Sequence, residues 1–219
     1  MTTNQTTLFL TVGLPGTGKT TQARRIEAER GALRLTKDEW VKALYGDANP
    51  REATAVIEGR LVDVALRALE LGVDVVLDFG LWSRDERSAL RQAAVDVGAR
   101  VQLCYVTLPA DEQRRRLDAR HAQEPRTTWH MSDDELATWA AAFVVPTAGE
   151  LDGTEPIDPP PPGFATWDDW RRHRWPPSLP DAGPQRADRV PGAGRRRQHA
   201  AVHGGEGRAR PAAGHPRPG

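Results

Sequence analysis

Gly13-Leu14-Pro15-Gly16-Thr17-Gly18-Lys19-Thr20 has the spacing G-x-x-x-x-G-K-T, which is the Walker A signature of a phosphate-binding loop. Residues 7–12 before it are rich in β-branched and aromatic side chains and predict a strand. Residues 20–30 after it contain no Gly or Pro and predict a helix. This strand–loop–helix order is the context in which the motif binds a nucleotide. A glycine-rich turn without a ligand would not explain both flanking elements.

Each fixed position of the loop has a chemical reason. Gly13, Gly16 and Gly18 let the backbone turn so that its amide groups can face phosphates. We expect Lys19 to reach the β- and γ-phosphates of ATP and Thr20 to ligate Mg²⁺. The predicted nucleotide-binding set also includes Leu14, Pro15, Thr17 and Thr21.

The composition limits the other classes of function. The 219 residues carry a formal net charge of zero, so bulk electrostatics do not favour a nucleic-acid or membrane partner. Residues 1–180 are acidic overall, whereas 181–219 are basic. Cys104 is the single cysteine and lies in an apolar run, which excludes an internal disulfide and indicates a buried thiol. With no signal-peptide pattern and no apolar run of membrane-spanning length, the expected location is the cytoplasm.

The pattern along the chain predicts an α/β fold of the P-loop NTPase type. Short apolar runs at 32–36, 73–79 and 101–107 predict further strands. Helical spacing or capping signals predict helices at 39–45, 51–71, 84–97, 110–122 and 132–143. Strands that alternate with helices predict a parallel sheet with helices on both faces.

Three segments follow from the composition. Residues 1–150 are expected to form a P-loop kinase domain, and 151–175 a Pro-rich linker with one short helix. Residues 176–219 are rich in Pro, Gly and Arg and predict a disordered tail. Two alternatives for this tail are out-of-frame translation of a GC-rich gene and a nucleic-acid contact through residues 195–197.

A Walker A loop is shared by motor ATPases, GTPases and kinases. The chain is too short for an ATPase module with a separate lid domain. None of its three lysines stands in the Asn-Lys-x-Asp element with which GTPases read guanine. This leaves the kinases, for which Asp38 at the end of the second strand is a candidate general base. An N-cap of the next helix is the alternative role for Asp38.

Asp78 ends the apolar strand 73–79, as the acidic residue of a Walker B element does. We expect it to hold Mg²⁺ through water or to orient the acceptor, with a turn carboxylate as the alternative. Arg84 and Arg87 follow at the start of the next helix. They could pair with Asp78, grip an anionic acceptor or lie on a solvated helix face.

An arginine-bearing lid is predicted from Arg116, Arg120 and Arg126. Such a lid would neutralise the triphosphate and exclude water. Surface pairing is the alternative, because residues 111, 112 and 114 each have an opposite charge four positions later. Arg120 and Arg126 are the favoured catalytic candidates because helical pairing explains them least. His121 and His130 lack metal-ligand spacing and are interpreted as incidental.

Residues 13 to about 126 resemble the small P-loop kinases described as AAA family or predicted kinase proteins. These include polynucleotide 5′-kinases, chloramphenicol phosphotransferase and zeta toxins. The resemblance lies in the Walker A loop, in Leu35-Thr36-Lys37-Asp38-Glu39, in residues 77–87 and in residues 116–120. It implies ATP as donor, Mg²⁺, Asp38 as base and lid arginines around the phosphates. The acceptor does not carry over, because these relatives phosphorylate unrelated molecules.

The sequence therefore predicts an ATP-dependent kinase that acts on a hydroxyl of a small molecule, such as a nucleoside-like metabolite or an antibiotic. Trp40, Trp82 and Trp129 are candidates to line its acceptor pocket. A polynucleotide 5′-hydroxyl kinase is one alternative, which the acidic body disfavours. A non-catalytic, ATP-binding regulatory protein is the other.

Overall fold

The computed structural model describes residues 5–124 and 128–180. Within these ranges, the chain forms four strands: β1 (Thr7–Val12), β2 (Leu33–Leu35), β3 (Val75–Gly80) and β4 (Arg100–Tyr105). The helices of the same ranges are α1 (Lys19–Arg30), α2 (Lys37–Tyr45), α3 (Arg51–Glu70), α4 (Arg84–Asp96), α5 (Ala110–Gln123), α6 (Asp133–Ala142), α7 (Ala148–Asp152) and α8 (Trp167–Arg174).

The sheet is parallel and has the order β2-β3-β1-β4. Leu10 of β1 pairs with Leu77 of β3 and with Leu103 of β4. All four strands therefore end at the same edge, where open α/β sheets bind their ligands. The segments that follow β1, β2 and β3 carry the Walker A motif, Asp38 and Trp82, so this edge gathers the predicted site.

The two faces of the sheet are covered by different helices, as the α/β prediction requires. Leu8, Leu10 and Val12 of β1 face a large core that includes residues of α3, α4 and α8. Phe9 faces the other side, where it packs with residues of α1. The alternation follows from the two-residue period of a strand, and helices on both faces confirm the predicted fold class.

The helix signals read from the sequence are present in most cases. Ser83 caps α4 and Ser132 caps α6, and each forms a reciprocal capping box with a glutamate three residues later. A third box, formed by Thr147 and Glu150, starts α7, which the sequence analysis did not predict. The short length of α7 and the prolines around it hide the helical periodicity.

Residues beyond 146 contribute to the main core. Trp167 and Trp175 are buried in the same cluster as β1 and β3, and α8 packs on α4 and α3. The segment predicted as a linker with one short helix therefore contains α8 and the last two residues of α7. Its predicted boundary at residue 150 falls inside α7.

The remaining predictions from the sequence concern the tail, Arg126, Cys104 and membrane-spanning helices. The predicted tail at 176–219 lies outside them from residue 181 onward, and Arg126 also lies outside them. Cys104 is only partly buried, and burial raises the pKa of its thiol. Among the described residues, no helix is both long enough and apolar enough to cross a membrane.

Candidate functional site

The Walker A loop wraps around the start of α1 in a conformation that requires glycine. Gly13 has φ of 150°, and a Cβ there would lie 2.3 Å from the Val106 carbonyl oxygen. Gly16 has φ of 78°, and a Cβ there would lie 2.6 Å from Leu117. The loop is thus packed against β4 and α5 as well as turned by its own backbone.

Lys19 is the first residue of α1, and its ammonium group lies inside the loop. Its Nζ donates a hydrogen bond to the Leu14 carbonyl oxygen at 2.8 Å. Burial lowers the pKa of Lys19 to about 8, although Asp78 and Asp38 act in the opposite direction. A cation with this depressed pKa gains a partner when phosphates enter the loop.

Asp78 lies within β3 and is 4% exposed, so it is a buried strand residue and not a turn carboxylate. Burial raises the pKa of Asp78 above its usual range, and this effect exceeds the opposite effects of the Thr20 hydroxyl and Lys19. The Thr20 hydroxyl is a hydrogen-bonding neighbour of this carboxylate. Their adjacency places two hard oxygen ligands at the end of the loop.

These oxygens fit Mg²⁺. Within residues 5–124 and 128–180, no cluster of three or more His, Cys, Asp or Glu side chains forms a metal site by itself. A Mg²⁺ ion held by Thr20 and Asp78 would take its other ligands from phosphates and water, as is usual for this ion. The donor set is therefore incomplete without a nucleotide.

Arg34 on β2 was missed by the sequence analysis. Its guanidinium lies 3.5 Å from the Asp78 carboxylate and 2.7 Å from the Glu39 carboxylate. A charged residue between Leu33 and Leu35 in a short strand was the available signal. Arg34 is thus a second cation, besides Lys19, that acts on the buried Asp78 carboxylate.

Asp38 lies in the first turn of α2, which begins at Lys37. Thr36 is the N-cap residue, so the alternative role of Asp38 as the cap is wrong. The carboxylate is about half exposed, and its Oδ1 accepts a hydrogen bond from Lys37 Nζ at 3.2 Å. Asp38 is consequently fixed in direction and still reachable by a second substrate.

Two of the three arginines predicted to form a lid, Arg116 and Arg120, lie on α5. The three predicted i,i+4 pairs on this helix are present: Asp111–Arg115, Glu112–Arg116 and Arg114–Asp118. Arg116 is thus paired and still lines the cavity described below. Arg120 lines the same cavity and forms no ion pair with any described residue. Arg126, the third predicted arginine, is outside the described residues.

One cavity of about 840 Å³ brings most of the predicted site together. The predicted site residues that line it are Pro15, Gly16, Gly18, Lys19, Thr20, Thr21, Asp38, Asp78, Arg116 and Arg120. Gly13, Leu14 and Thr17 belong to the same loop but do not line this cavity. Thr17 is 3% exposed, and its hydroxyl donates to the Leu14 carbonyl oxygen. We refer to this space as the nucleotide cavity.

The three candidate tryptophans have different positions. Trp82 and Trp129 line the nucleotide cavity, whereas Trp40 is 54% exposed and does not line it. Trp82 packs against Trp139 of α6 with ring centroids 5.6 Å apart. The Lys42 ammonium group lies over the Trp129 ring, with its Nζ 4.9 Å from the ring centroid. The structure therefore does not bring Trp40 to this cavity with the other two tryptophans.

Arg84 and Arg87 do not approach Asp78 or the cavity. Arg87 is fully buried and forms two parallel hydrogen bonds to Glu150, at 2.9 and 3.0 Å. Arg84 pairs with Glu155 and Asp158. Both arginines bind the segment after residue 146 to α4, a role that none of the alternatives from the sequence contained.

His121 and His130 also come together, with ring centroids 5.6 Å apart. Nδ1 of His121 lies 3.3 Å from the Thr128 hydroxyl. The contact joins the end of α5 to the loop before α6. It does not gather a metal site among the described residues.

Comparison with protein families gives one match, to the family described as AAA domain (AAA_33), over residues 8–146. This range is more than half of the chain and contains the Walker A loop, Asp38, Asp78 and α5. The chain belongs to this AAA domain family. No curated protein matches the sequence.

Solved structures share the fold of this AAA domain protein at low identity. Kti12 of Chaetomium thermophilum, in complex with ADP-AlF3, has a TM-score of 0.53 and 19% identity over 77% of this chain and 95% of its own. A protein of Chloroflexus aurantiacus assigned as a kinase has a TM-score of 0.52 and 20% identity over 74% and 85%.

A chain of the Pnkp1/Rnl/Hen1 RNA repair complex has a TM-score of 0.50 and 19% identity. The match covers 70% of this AAA domain protein and 47% of that chain, so the protein spans about half of that relative's length. These likenesses confirm the resemblance to small P-loop kinases at the level of the fold.

Proposed function

We propose that this protein is an ATP-dependent kinase that transfers the γ-phosphoryl group to a hydroxyl of a small molecule. The observation that carries the proposal is the nucleotide cavity. Lys19, Thr20 and Asp78 lie on one side of it, and Asp38 and Arg120 also line it. A protein that only binds a nucleotide has no need of a carboxylate placed for an acceptor. Kti12, which shares the fold, holds ADP-AlF3.

The residues of the nucleotide cavity account for each bond and proton in the proposed phosphoryl transfer. The acceptor oxygen attacks the γ-phosphorus while its proton passes to the Asp38 carboxylate. The bond from the γ-phosphorus to the bridging oxygen breaks, and ADP leaves with the electron pair. Lys19 and the backbone amides of the loop hold the β- and γ-phosphates during this step. Mg²⁺ held by Thr20 and Asp78 would neutralise part of the phosphate charge.

The lid helix supplies the remaining positive charge. Arg120 has no carboxylate partner among the described residues, so its guanidinium is available to the transferring phosphoryl group. Arg116 is bound to Glu112 at 2.8 Å, so its charge is already compensated. We therefore assign it to closing the cavity and not to stabilising the transferred phosphoryl group. We assign the catalytic role on α5 to Arg120.

The acceptor is proposed to be a small molecule and not a polynucleotide or a membrane component. In the described residues, arginines are mostly paired with carboxylates, as Arg34, Arg84 and Arg114 are. A polynucleotide would need a continuous basic track for its phosphates.

The test compares wild type with Asp38→Asn. ADP release is measured with a panel of nucleosides, aminoglycosides, arylamide alcohols and 5′-hydroxyl oligonucleotides, each corrected for hydrolysis by water. With an accepted alcohol, Asp38→Asn should reduce kcat by about 10²–10⁴-fold, the usual contribution of a general base. Its affinity for ATP should stay close to that of wild type.

Asp96→Asn is the matched control, because Asp96 is exposed, accepts a hydrogen bond from Gln92 and lines neither the nucleotide cavity nor its neighbour. It should leave ADP release unchanged. If oligonucleotides were the only compounds to stimulate ADP release, the acceptor would be a polynucleotide and not a small molecule. No stimulation by any member, with ATP still bound, would favour the regulatory protein over the kinase.

A further inference from the structure

A second cavity, of about 420 Å³, adjoins the nucleotide cavity. The two share Lys37, Phe79, Trp82 and Arg174 as lining residues. The other residues that line the second cavity are Glu58, Leu81, Ser83, Glu86, Ala142, Trp170 and Trp175. Its volume lies in the range of pockets that hold small ligands.

One wall of this cavity lies outside the AAA domain match. Trp170, Arg174 and Trp175 belong to α8 and its C-terminal end, whereas the family match ends at residue 146. The two tryptophan rings are held by contact with each other, since Trp170 packs edge-on against Trp175 with centroids 5.9 Å apart. Trp175 is also fixed by a hydrogen bond from its Nε1 to Glu58 at 2.9 Å. The wall is therefore rigid and aromatic.

The charges at this cavity are paired with one another. Arg174 donates to Glu86 at 2.6 Å and lies 3.4 Å from Glu58. Lys37 lies 3.7 Å from Glu58 and donates to Asp38. Two cations and two carboxylates line the cavity, and each has an opposite partner. No charge is left for an ionised ligand, while the carboxylates keep oxygens that can accept hydrogen bonds.

From this geometry we infer that the second cavity binds the acceptor, and that the acceptor is an uncharged molecule of about nucleoside size with a flat ring and a hydroxyl group. The inference rests on the proposed kinase function. Flat rings suit a cavity lined by the partly exposed rings of Trp82 and Trp170, because aromatic faces stack. A neutral ligand suits a cavity whose charges are already compensated.

Contacts that run from one cavity to the other also indicate where the hydroxyl group of the acceptor would lie. Glu58 lies in the second cavity, Lys37 bridges it to Asp38, and Asp38 lines the nucleotide cavity. A ring held between the tryptophans can therefore place its hydroxyl at the junction of the two cavities. Arg174 acts here as a specificity residue that holds both carboxylates of the wall, and it takes no part in proton transfer.

The experiment measures binding and transfer separately. Adenosine, cytidine, thymidine and 4-nitrobenzyl alcohol serve as neutral planar alcohols. Glucose, AMP and a 5′-hydroxyl oligonucleotide serve as comparisons. Binding is followed by quenching of tryptophan fluorescence in the presence of a non-hydrolysable ATP analogue, and transfer by ADP release. At least one neutral planar alcohol should bind saturably and more tightly than glucose or AMP.

Two variants and their controls test the position of the acceptor. Trp170→Leu should raise the KM or Kd of the alcohol about tenfold and leave the KM of ATP unchanged. Trp40→Leu is the same substitution on the exposed surface of α2 and should change neither constant. Ala142→Trp fills the second cavity from an exposed position and should weaken the alcohol without lowering the melting temperature.

The outcomes separate this inference from the proposed function. Saturable binding of the alcohol that Trp170→Leu and Ala142→Trp weaken supports the acceptor cavity, even where no phosphoryl transfer follows. Transfer with an unchanged acceptor KM in Ala142→Trp would overturn the cavity assignment and leave the kinase intact. Preference for AMP or the oligonucleotide, or no binding by any neutral planar alcohol, would overturn the ligand class.

Discussion

Lys37 Nζ lies 3.2 Å from Asp38 Oδ1, so the proposed general base is held by its own neighbour in the sequence. The same ammonium group lies 3.7 Å from Glu58. Burial acts to lower the pKa of Lys37, but Asp38 and Glu58 outweigh it and the pKa is raised. Lys37 is therefore charged across the neutral range and connects the two cavities.

Lys37→Gln should lower kcat by about 10- to 100-fold, because Asp38 loses the contact that fixes its direction. The affinity for ATP should change little. Steady-state ADP release and a nucleotide titration on the same preparation measure both quantities. Leu44→Gln is the control, since Leu44 is on the same helix, is exposed and lines neither cavity. Equal losses in the two variants would assign the effect to α2 as a whole.

Lys19→Met should abolish the stabilisation by ATP and leave the free protein no less stable than wild type. The methionine removes a cation whose burial is unfavourable, so a rise in melting temperature of roughly 2–4 °C is expected, equivalent to about 1 kcal/mol. Thermal melts with and without Mg-ATP measure this. A large fall in the melting temperature of the free protein would mean that the contact of Lys19 with Leu14 supports the fold.

The pH dependence of ATP binding follows from Lys19. Its pKa of about 8 in the free protein means that the cation is lost as pH rises from 7.5 to 9. Phosphates bind the protonated form, so the Kd for ATP should increase about tenfold at pH 9, with proton uptake on binding. Calorimetry in two buffers of different ionisation enthalpy detects this uptake. A flat profile would separate Lys19 from the phosphates.

Glu150→Gln should lower the melting temperature by about 10 °C or more. The substitution leaves the buried Arg87 guanidinium without its counter-charge, which costs about 3–5 kcal/mol. Burial acts to raise the pKa of Glu150, but Arg87 and the other contacts outweigh it and the pKa is lowered. The stabilisation is thus present at neutral pH and lost as the pH falls through this lowered pKa.

The control for Glu150 is Glu29→Gln, which removes an exposed pair with Arg25. Exposed pairs contribute little, so its melting temperature should stay close to that of wild type. Chemical denaturation of both variants would give the same order. A Glu150→Gln variant as stable as Glu29→Gln would contradict the buried pair.

Arg120→Gln should reduce kcat by about 10²–10³-fold with a small effect on the Kd of ATP, since its charge acts on the transferring group. Arg115→Gln on the same helix is exposed, pairs with Asp111 and does not line the cavity. Single-turnover kinetics distinguish a slower chemical step from slower product release. Similar kcat values for the two variants would remove Arg120 from the reaction.

The fold could be predicted from the sequence up to about residue 146, because local signals there agree with the tertiary structure. The Walker A glycines, the apolar strand at 75–80 and the capping boxes at Ser83 and Ser132 each act over a few residues. α7 was missed because it has only five residues. The depth to which α8 is buried depends on contacts with α3 and α4, which no local pattern contains.

The candidate site could be predicted where one residue type is required at a fixed place. Lys19, Thr20, Asp38 and Asp78 have such places in the loop and at the strand ends. Residues that act through long-range contacts could not be found in this way. Glu58 lies on a helix face next to Leu61, and nothing in its local sequence marks it as a site residue. Only the fold brings Arg174 and Trp175 into contact with it.

The buried pair of Arg87 and Glu150 also has a consequence for the order in which the molecule forms. Arg87 is made 63 residues before Glu150 during synthesis, and burying its guanidinium without that carboxylate costs about 3–5 kcal/mol. The emerging chain can complete its sheet, but α4 cannot seat fully until residue 150 has left the ribosome. Final packing of the nascent protein therefore waits for a segment that follows the family domain.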